Sequence, residues 1–195
     1  SDNSIIVEEF IEGKEYSIES ITFKGRTHII QYTEKIITEY PYTVEMGHIQ
    51  PAELDDKQKT EIDEIVKKAI DALELNNCAA HTELMMTKTG PKIIEIGARL
   101  GGDYISSYLT LHSTGINMDA AVADIAMGNK SDITKTLDHC SGIFYFHLGE
   151  ANKVAKVENW KDVLNFHNVV YTSLLIKTGE TIPALTDSAK RSGFI

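Results

Sequence analysis

A β-hairpin in the middle of the chain constrains the fold more than any other feature of the sequence. Residues Cys78–Thr87 and 92–96 both have strand-like composition, and the short segment 88–90 between them ends in glycine. Glycine readily takes the left-handed conformation that closes a three-residue hairpin turn. Such a turn places Thr87 opposite Pro91, so the sequence predicts two antiparallel strands in one defined register.

That register places two carboxylates opposite each other, Glu83 on the first strand and Glu95 on the second. Because side chains alternate between the faces of a sheet, His81 should share their face, and opposed Cβ atoms lie roughly 4.5–5.5 Å apart. Like charges at that distance repel, and a divalent cation such as Mg²⁺, which prefers carboxylate oxygens, would neutralise them. A pair of ordinary solvated carboxylates is the alternative. Apolar neighbours on the second strand favour a drier setting: Ile93, Ile94 and Ile96.

An arginine follows the hairpin where the second strand should end. Arg99 stands four residues after Glu95 and precedes Gly101-Gly102, a pair that lets backbone approach a ligand closely. Its planar guanidinium offers donors suited to phosphate or carboxylate oxygens, although a surface ion pair with an acidic neighbour would equally account for it. Magnesium ligands beside such an arginine indicate a nucleotide phosphate site.

Composition limits the classes of function. The 195 residues are 42% hydrophobic and 25% charged, which is ordinary for a globular protein with one domain or two closely joined lobes. A formal net charge of −10 argues against nonspecific binding to nucleic acid or to anionic membranes, which needs clustered basic residues.

Cys78 and Cys140 form no disulfide framework or zinc pattern and are expected to be buried in a reduced compartment. With no secretory signal and no apolar run of membrane-spanning length in these residues, we expect a cytoplasmic protein.

The first half of the chain has the pattern of a strand meander followed by a helix. Strands are predicted at 4–10, 15–23 and 27–37, and a long loop at 38–52. Apolar residues then recur at helical spacing through 55–76, which predicts an amphipathic helix. This helix should cover one face of an antiparallel sheet.

The second half mixes helices with a final β-rich part. Two helices are predicted, at 103–112 and 117–127. Strands are predicted at 141–148, 153–157 and 169–177. We therefore expect an α+β fold with a first unit at 1–135 and a small β-rich subdomain at 136–195. Both ends of the chain fall within predicted sheet structure, so we expect it to be an excised piece of a longer protein, with the subdomain cut off at its end.

Four stretches of the sequence, taken in order, resemble the ATP-grasp superfamily, particularly carboxylate–amine ligases such as amino-acid ligases, biotin carboxylase and the large chain of carbamoyl-phosphate synthetase. The stretches are Val7-Glu8-Glu9-Phe10-Ile11-Glu12-Gly13-Lys14-Glu15-Tyr16-Ser17, Gly47-His48-Ile49-Gln50-Pro51, His81-Thr82-Glu83 and Glu95-Ile96-Gly97-Ala98-Arg99. Each alone is weak, but together they are fairly specific and span most of residues 4–128. The resemblance implies the C-terminal lobe of an ATP-grasp domain, an antiparallel sheet covered by helices, followed by a β-rich subdomain.

The resemblance also implies which residues bind the nucleotide. In the family, the stretch similar to Glu8, Glu9, Phe10 and Ile11 connects the lobes and holds the adenine through a carboxylate and backbone groups. The glutamate that matches Glu15 takes the ribose hydroxyls, and a carboxylate can accept two such hydrogen bonds.

Further roles at the phosphate end follow from the same resemblance. Glu83 and Glu95 would hold magnesium between the ATP phosphates, and Arg99 would contact phosphate or the substrate carboxylate. Glu45 and His48 would lie in a loop bordering the substrate, in reach of metal, phosphate or the amino group. Gly97 stands where the family often has asparagine, which removes one oxygen ligand.

The implied reaction is a two-step ligation. A substrate carboxylate attacks the γ-phosphate of ATP to give an acyl phosphate, and an amine then displaces phosphate to form an amide. The implied cofactors are ATP and Mg²⁺, or Mn²⁺, and the implied partners are small carboxylate and amine substrates, the N-terminal lobes of the same chain and a second copy in a homodimer. The family's first-lobe lysines and glycine-rich phosphate loop have no counterpart here, so this chain alone is expected to be inactive.

Two other hypotheses belong to different classes. The chain is alternatively a non-catalytic nucleotide-binding or structural module with a vestigial site. The third hypothesis is a metal-dependent hydrolase that uses Glu83 and Glu95 without nucleotide, although the sequence lacks the histidine-rich ligand sets common in such enzymes.

Overall fold

One antiparallel sheet of eight strands organises the computed structural model, which describes residues 4–195. The strand order across the sheet is β5-β4-β1-β2-β3-β6-β8-β7. The strands are β1 (Lys14–Phe23), β2 (Arg26–Ile37), β3 (Glu45–Gln50), β4 (Cys78–Thr87), β5 (Gly90–Gly97), β6 (Ser141–Phe146), β7 (Ser173–Leu174) and β8 (Gly193–Phe194). The α+β class and the meander are confirmed.

Few helices accompany the sheet. The α-helices are α1 (Asp56–Ala72), α2 (Thr110–Thr114) and α3 (Met118–Ala126). A π-helical turn at Ile105–Leu109 leads directly into α2, and short 3₁₀ turns lie at Trp160–Asn165 and Ser188–Lys190. The predicted helix at 103–112 therefore begins two residues late and opens with wider turns, while the one at 117–127 is confirmed as α3.

Helix α1 covers one face of the sheet, as its periodicity predicts. The Asp55 side chain accepts a hydrogen bond from the Gln58 backbone N–H, and the Asp55 backbone N–H donates one to the Gln58 side chain, a capping box that fixes where the helix starts. Three fully buried helix residues, Ile62, Val66 and Ile70, pack on the strands. Their partners in the sheet are Tyr16, Ile18, Ala80 and Leu84.

The opposite face is apolar at its two ends and polar between them. At one end α3 packs Met118, Ala121 and Ile125 against Ile21 and Ala79. At the other end, the π-helical turn meets β6 and β8 in a second cluster, formed by Ile105, Leu109, Ile143, Tyr145 and Phe194. The strands between these clusters present charged and hydrogen-bonding side chains to this face, and the site lies there.

Four secondary-structure predictions were wrong. Residues 4–10 form no strand, and the predicted loop at 38–52 contains β3. Residues 153–157 contribute only an isolated bridge between Lys153 and Thr181, and the strand predicted at 169–177 is reduced to β7. Cys140 is exposed and Cys78 half-buried, which corrects the expectation that both are buried.

The C-terminal part continues the sheet. Strand β6 pairs with β3, and β8 pairs with both β6 and β7. The strand predicted at 141–148 is thus confirmed, and the division near residue 135 stays a prediction. Among residues 4–195, none of the helices has the length and apolar character needed to cross a membrane.

Candidate active site

The predicted pairing of Glu83 with Glu95 is confirmed, although the turn differs from the prediction. Thr87 lies opposite Gly90 and Met86 opposite Pro91, which shifts the register by one residue. A β-bulge between Glu83 and Leu84 shifts it back, so Glu83 still faces Glu95. Both carboxylates therefore leave the sheet on the same side.

A lysine that sequence analysis did not single out lies at the centre of the polar face. The Nζ atom of Lys35 is 2.5 Å from Glu15 Oε1, 2.9 Å from Glu45 Oε1 and 3.1 Å from Glu83 Oε1. Its side chain is only 3% exposed. Burial disfavours the ammonium ion, but the hydrogen bond to Glu15 and the attraction of the three carboxylates outweigh it and raise the pKa of Lys35. One positive charge among three negative ones leaves the cluster acidic.

A buried hydrogen-bond network holds the Glu83 carboxylate in place. Glu19, which is fully buried, contacts His81 Nδ1 at 2.5 Å and accepts from the Ser106 hydroxyl at 2.6 Å. The other ring nitrogen of His81 is 3.3 Å from Glu83 Oε1. Burial opposes the imidazolium, yet the hydrogen bonds to Glu19 and Glu83 raise the pKa of His81 to about 9. The hydrogen bond from His81, assisted by Lys35, lowers the pKa of Glu83 to about 2.

Gly101 closes this network because no larger residue fits there. Its backbone N–H donates to Ser106 Oγ at 2.7 Å and to Glu19 Oε2 at 3.2 Å. A Cβ at this position would lie 2.8 Å from both Glu19 Oε1 and His81 Nδ1. The close approach inferred from Gly101-Gly102 is thus, at Gly101, an approach to the chain's own side chains, whereas Gly102 faces open space.

Glu95 and Arg99 form the open side of the site. The Arg99 side chain is 53% exposed and the Glu95 side chain 62%, and Arg99 Nη2 is 3.8 Å from Glu95 Oε1. Arg99 Nη1 donates to the Leu100 carbonyl at 3.0 Å. A Cβ on Gly97 would come within 3.1 Å of Arg99 Cγ and Nε, so the missing side chain at Gly97 provides the space that the arginine occupies.

The donor set fits a hard divalent cation. The contacts of Glu83 with Lys35 and His81 both fall on Oε1, which leaves Oε2 available among the described residues. Glu95 faces it across the hairpin and is open to solvent. Carboxylate oxygens held this way, in a cluster with excess negative charge, suit Mg²⁺. Asparagine is not needed as a third ligand, since water or phosphate oxygens can complete the shell.

Glu45 and His48 lie on β3 and not in a loop, which corrects the sequence prediction. His48 is fully buried, and its Nε2 is 3.3 Å from Asp103 Oδ2. Asp103 in turn receives two hydrogen bonds from Arg191, at 2.7 and 2.9 Å. Burial would raise the pKa of Asp103, but His48 and Arg191 hold it well below its usual range.

These last two residues were missed by sequence analysis. Asp103 is the first residue after Gly101-Gly102, and an acidic residue in that place was a signal that we did not use. Arg191 stands in a polar stretch near the end of the chain, and no local pattern identifies it. The ligand atoms of Glu45, His48 and Asp103 lie within 4.8 Å of one another, but Lys35 and Arg191 already supply cations to both carboxylates.

The residues predicted to hold adenine lie apart from this cluster. Glu8, Glu9, Phe10 and Ile11 precede β1 in a segment without regular secondary structure, and Phe10 is 76% exposed. Glu9 contacts Lys92 Nζ at 3.3 Å, and Phe10 meets Tyr40 edge to face at 6.4 Å. Glu15, predicted to bind ribose, lies instead beside Lys35, and its nucleotide role stays a prediction.

The site therefore combines an opposed pair of carboxylates with an exposed arginine on a charged face of an antiparallel sheet, a set of groups whose chemistry suits a magnesium-bound phosphate group. The family is identified by comparison with known proteins: the chain belongs to the ATP-grasp domain family, whose model matches residues 1–107.

Among curated relatives, alanine–anticapsin ligase of Bacillus subtilis is 33% identical over 147 residues, which cover 68% of this chain and 30% of that protein. Carnosine synthase 1 of Mus musculus is 27% identical over 126 residues, covering 65% of this chain and 15% of that protein. The crystal structure of an L-amino acid ligase from Bacillus licheniformis superposes with a TM-score of 0.81 at 28% identity, covering 95% of this chain and 46% of that one. The chain thus spans less than half the length of these relatives.

Proposed function

We propose that the full-length protein is an ATP-dependent carboxylate–amine ligase and that this chain supplies part of its Mg-ATP site. The observation that carries the proposal is the opposed pair Glu83 and Glu95 beside the exposed Arg99. Support comes from the family assignment and from relatives that are ligases or synthases by name. The chain by itself is proposed to be inactive.

At the phosphate end, Glu83 and Glu95 would hold magnesium through carboxylate oxygens. When bound, the metal would neutralise charge that develops on the transferred phosphoryl group. His81, assisted by Lys35, keeps Glu83 ionised, and both groups hold the carboxylate at its Oε1 atom. Arg99 is free enough of buried partners to turn toward a γ-phosphate or the substrate carboxylate.

At the substrate end, Glu45 and His48 would border the amine-bearing substrate. The half-buried Glu45 carboxylate shares Lys35 with Glu83, which places the substrate end next to the phosphate end. A carboxylate substrate would take the γ-phosphate to form an acyl phosphate, and the amine would then displace phosphate with loss of a proton. Glu8, Glu9, Phe10 and Ile11, most of which are exposed, would hold adenine, and Glu15, beside Lys35, would take the ribose hydroxyls.

Nucleotide binding by the full-length protein tests the proposal. Glu95→Ala should weaken magnesium-dependent ATP binding, measured by isothermal titration calorimetry, by at least ten-fold, because it removes one of two charged ligands. Glu64→Ala is the matched control, since Glu64 is a comparably exposed glutamate on α1, on the far side of the sheet. ADP release in the presence of a panel of carboxylate and amine pairs then tests ligation.

Three results are informative. Loss of binding in Glu95→Ala together with substrate-dependent ADP release supports the ligase. Tight binding without ADP release for any pair favours the non-catalytic nucleotide-binding module. Equal binding in wild type and Glu95→Ala would overturn the metal assignment and favour a structural module with a vestigial site.

A further inference from the structure

We propose that Arg191, which lies outside the residues matched by the family model, is a positioning residue that clamps the C-terminal segment onto the active face through Asp103. Through this clamp it sets the positions of His48 and Glu45. The inference rests on the proposed function, because it concerns the substrate end of that site.

All three guanidinium nitrogens of Arg191 donate hydrogen bonds within the protein. Its Nη1 and Nη2 atoms form the two hydrogen bonds to Asp103, and Nη1 also donates to the Glu45 carbonyl at 3.2 Å. Its Nε donates to the Ser188 carbonyl at 2.8 Å. The guanidinium carbon lies 3.5 Å from the centre of the Tyr145 ring, and the side chain is 8% exposed. An arginine held in this way does not bind substrate, so it acts through its partners.

The partner carboxylate belongs to a backbone segment that needs external support. Asp103 and Tyr104 are consecutive non-glycine residues with φ of 47° and 64°, in the left-handed region that side chains disfavour. Such conformations persist where surrounding contacts determine them. The paired hydrogen bonds from Arg191 do so here, and the planar fork of arginine matches a carboxylate in a way that lysine cannot.

Asp103 transmits this constraint to the substrate end. Its Oδ2 atom is shared between Arg191 Nη1 and His48 Nε2. His48 is fully buried on β3, and the Glu45 carbonyl on the same strand accepts from Arg191 directly. Both candidate substrate residues are therefore fixed by one guanidinium from a segment far along the chain.

The C-terminal segment has its own anchor beside Arg191. Strand β8 pairs with β6 and β7. Phe194 packs in the cluster with Ile105, Leu109 and Tyr145. Arg191 is thus held on a built element, and movement of β8 relative to β3 would pull Asp103 away from His48. The clamp makes the substrate end depend on the C-terminal segment, while Glu83 and Glu95 belong to strands that Arg191 does not touch.

Kinetics of the full-length protein can separate this role from a general loss of structure. Arg191→Met should raise the KM of the amine substrate at least ten-fold while the Kd of Mg-ATP stays within two-fold. Arg191→Lys keeps the positive charge but lacks the paired N–H donors of the guanidinium, so it should raise the KM of the amine substrate less than Arg191→Met does. Asp103→Asn combined with Arg191→Met should be no worse than Arg191→Met alone by more than two-fold, because both changes break the same interaction. Arg26→Met removes an exposed arginine at the start of β2 and is the control.

A second readout does not need activity. Hydrogen–deuterium exchange of peptides covering 99–106 should become at least ten-fold faster in Arg191→Met and in Asp103→Asn, with no change in Arg26→Met. Three results would overturn the clamp: KM effects of Asp103→Asn and Arg191→Met that add in the double variant, a Kd of Mg-ATP that rises together with KM, or an unchanged exchange rate of peptides covering 99–106. If wild-type protein releases no ADP with any substrate pair, the proposed ligase fails, while the exchange result still decides whether the clamp exists.

Discussion

Glu83 lies directly opposite Glu95 across the β4–β5 ladder even though the turn that joins their strands is one residue shorter than predicted. The β-bulge beside Glu83 absorbs the difference, so two local departures cancel at the position of the site. Opposed carboxylates carry a repulsive cost unless a cation lies between them. Lys35 offsets this cost at Glu83 Oε1, and the metal of the proposed site would offset it between the two carboxylates.

Removal of the buried cation should destabilise the protein strongly. Lys35→Met removes the counter-charge that Glu15, Glu45 and Glu83 share and leaves only His81 beside Glu83, and breaking a buried ion pair from one side costs about 3–5 kcal/mol. We expect a lower urea midpoint at pH 7, partly restored by millimolar Mg²⁺. Lys14→Met is the control, because Lys14 pairs with Glu34 at the surface, where such pairs contribute at most about 1 kcal/mol. Equal effects of the two substitutions would contradict this account.

The contribution of His81 should disappear at alkaline pH. Its pKa is raised to about 9 in the folded protein, above its ordinary value of 6.5. Below pH 6.5 both the folded and unfolded states hold the proton, and the full stabilisation, on the order of 3 kcal/mol, is present. As pH rises from 6.5 through 9 this stabilisation is lost. In the presence of EDTA, the urea midpoints of wild type and His81→Gln should differ most at pH 6 and converge by pH 9.5. A difference between the two urea midpoints that grew with pH would contradict a raised pKa of His81.

Two adjacent glycines should respond differently to alanine. Gly101→Ala drives a methyl group against Glu19 and His81, whereas Gly102→Ala meets nothing within 4 Å. Overpacking of a buried site typically costs about 1–3 kcal/mol, so Gly101→Ala should lower the thermal midpoint and Gly102→Ala should leave it nearly unchanged. Mg-ATP affinity should fall only in Gly101→Ala, because His81 contacts Glu83. If Gly101→Ala left the thermal midpoint and the Mg-ATP affinity unchanged, the hydrogen-bond network of Glu19, His81 and Glu83 would be able to accommodate the added methyl group.

Loss of the open arginine should weaken nucleotide binding without affecting folding. Arg99→Met removes a half-exposed guanidinium whose partners in this chain are Glu95 and the Leu100 carbonyl. A hydrogen bond to a charged group contributes about 1.5–3 kcal/mol, so the Kd of ATP should rise about ten- to a hundred-fold. The thermal midpoint should stay within about 2 °C of wild type, since the arginine supports no buried contact. Arg26→Met controls for the loss of one positive charge, and an ATP affinity unchanged in Arg99→Met would remove Arg99 from the site.

Local patterns were sufficient for the parts of the site that lie on one hairpin. The two-residue alternation and the short glycine turn put Glu83 opposite Glu95, and that pairing is confirmed. They could not identify Lys35 or Glu19, because a charged residue on a strand has the same local pattern whether its face is solvated or covered. Only the arrangement of distant elements buries these two side chains.

The prediction for β3 failed for a related reason. The loop predicted at 38–52 includes Gly47, yet Gly47 lies inside a strand. Strand β6 approaches closely there, since a Cβ would come within 2.9 Å of the Ile143 carbonyl. The partner strand is almost a hundred residues further along the chain, so no window of the sequence contains the cause. Arg191 escaped notice for the same reason, since its partners Asp103 and Glu45 are remote in sequence.

The pairing of β6 with β3 also governs how this protein can be shortened. A recombinant fragment that stops near residue 135 would keep all of the residues matched to the family model but would remove β6, one of the two strands that pair with β3. The bared backbone N–H and C=O groups would then form a template for intermolecular strand addition. Soluble expression of a trimmed version should therefore require retention of the chain through β8, and turbidity of the shorter fragment is the expected sign of the exposed edge.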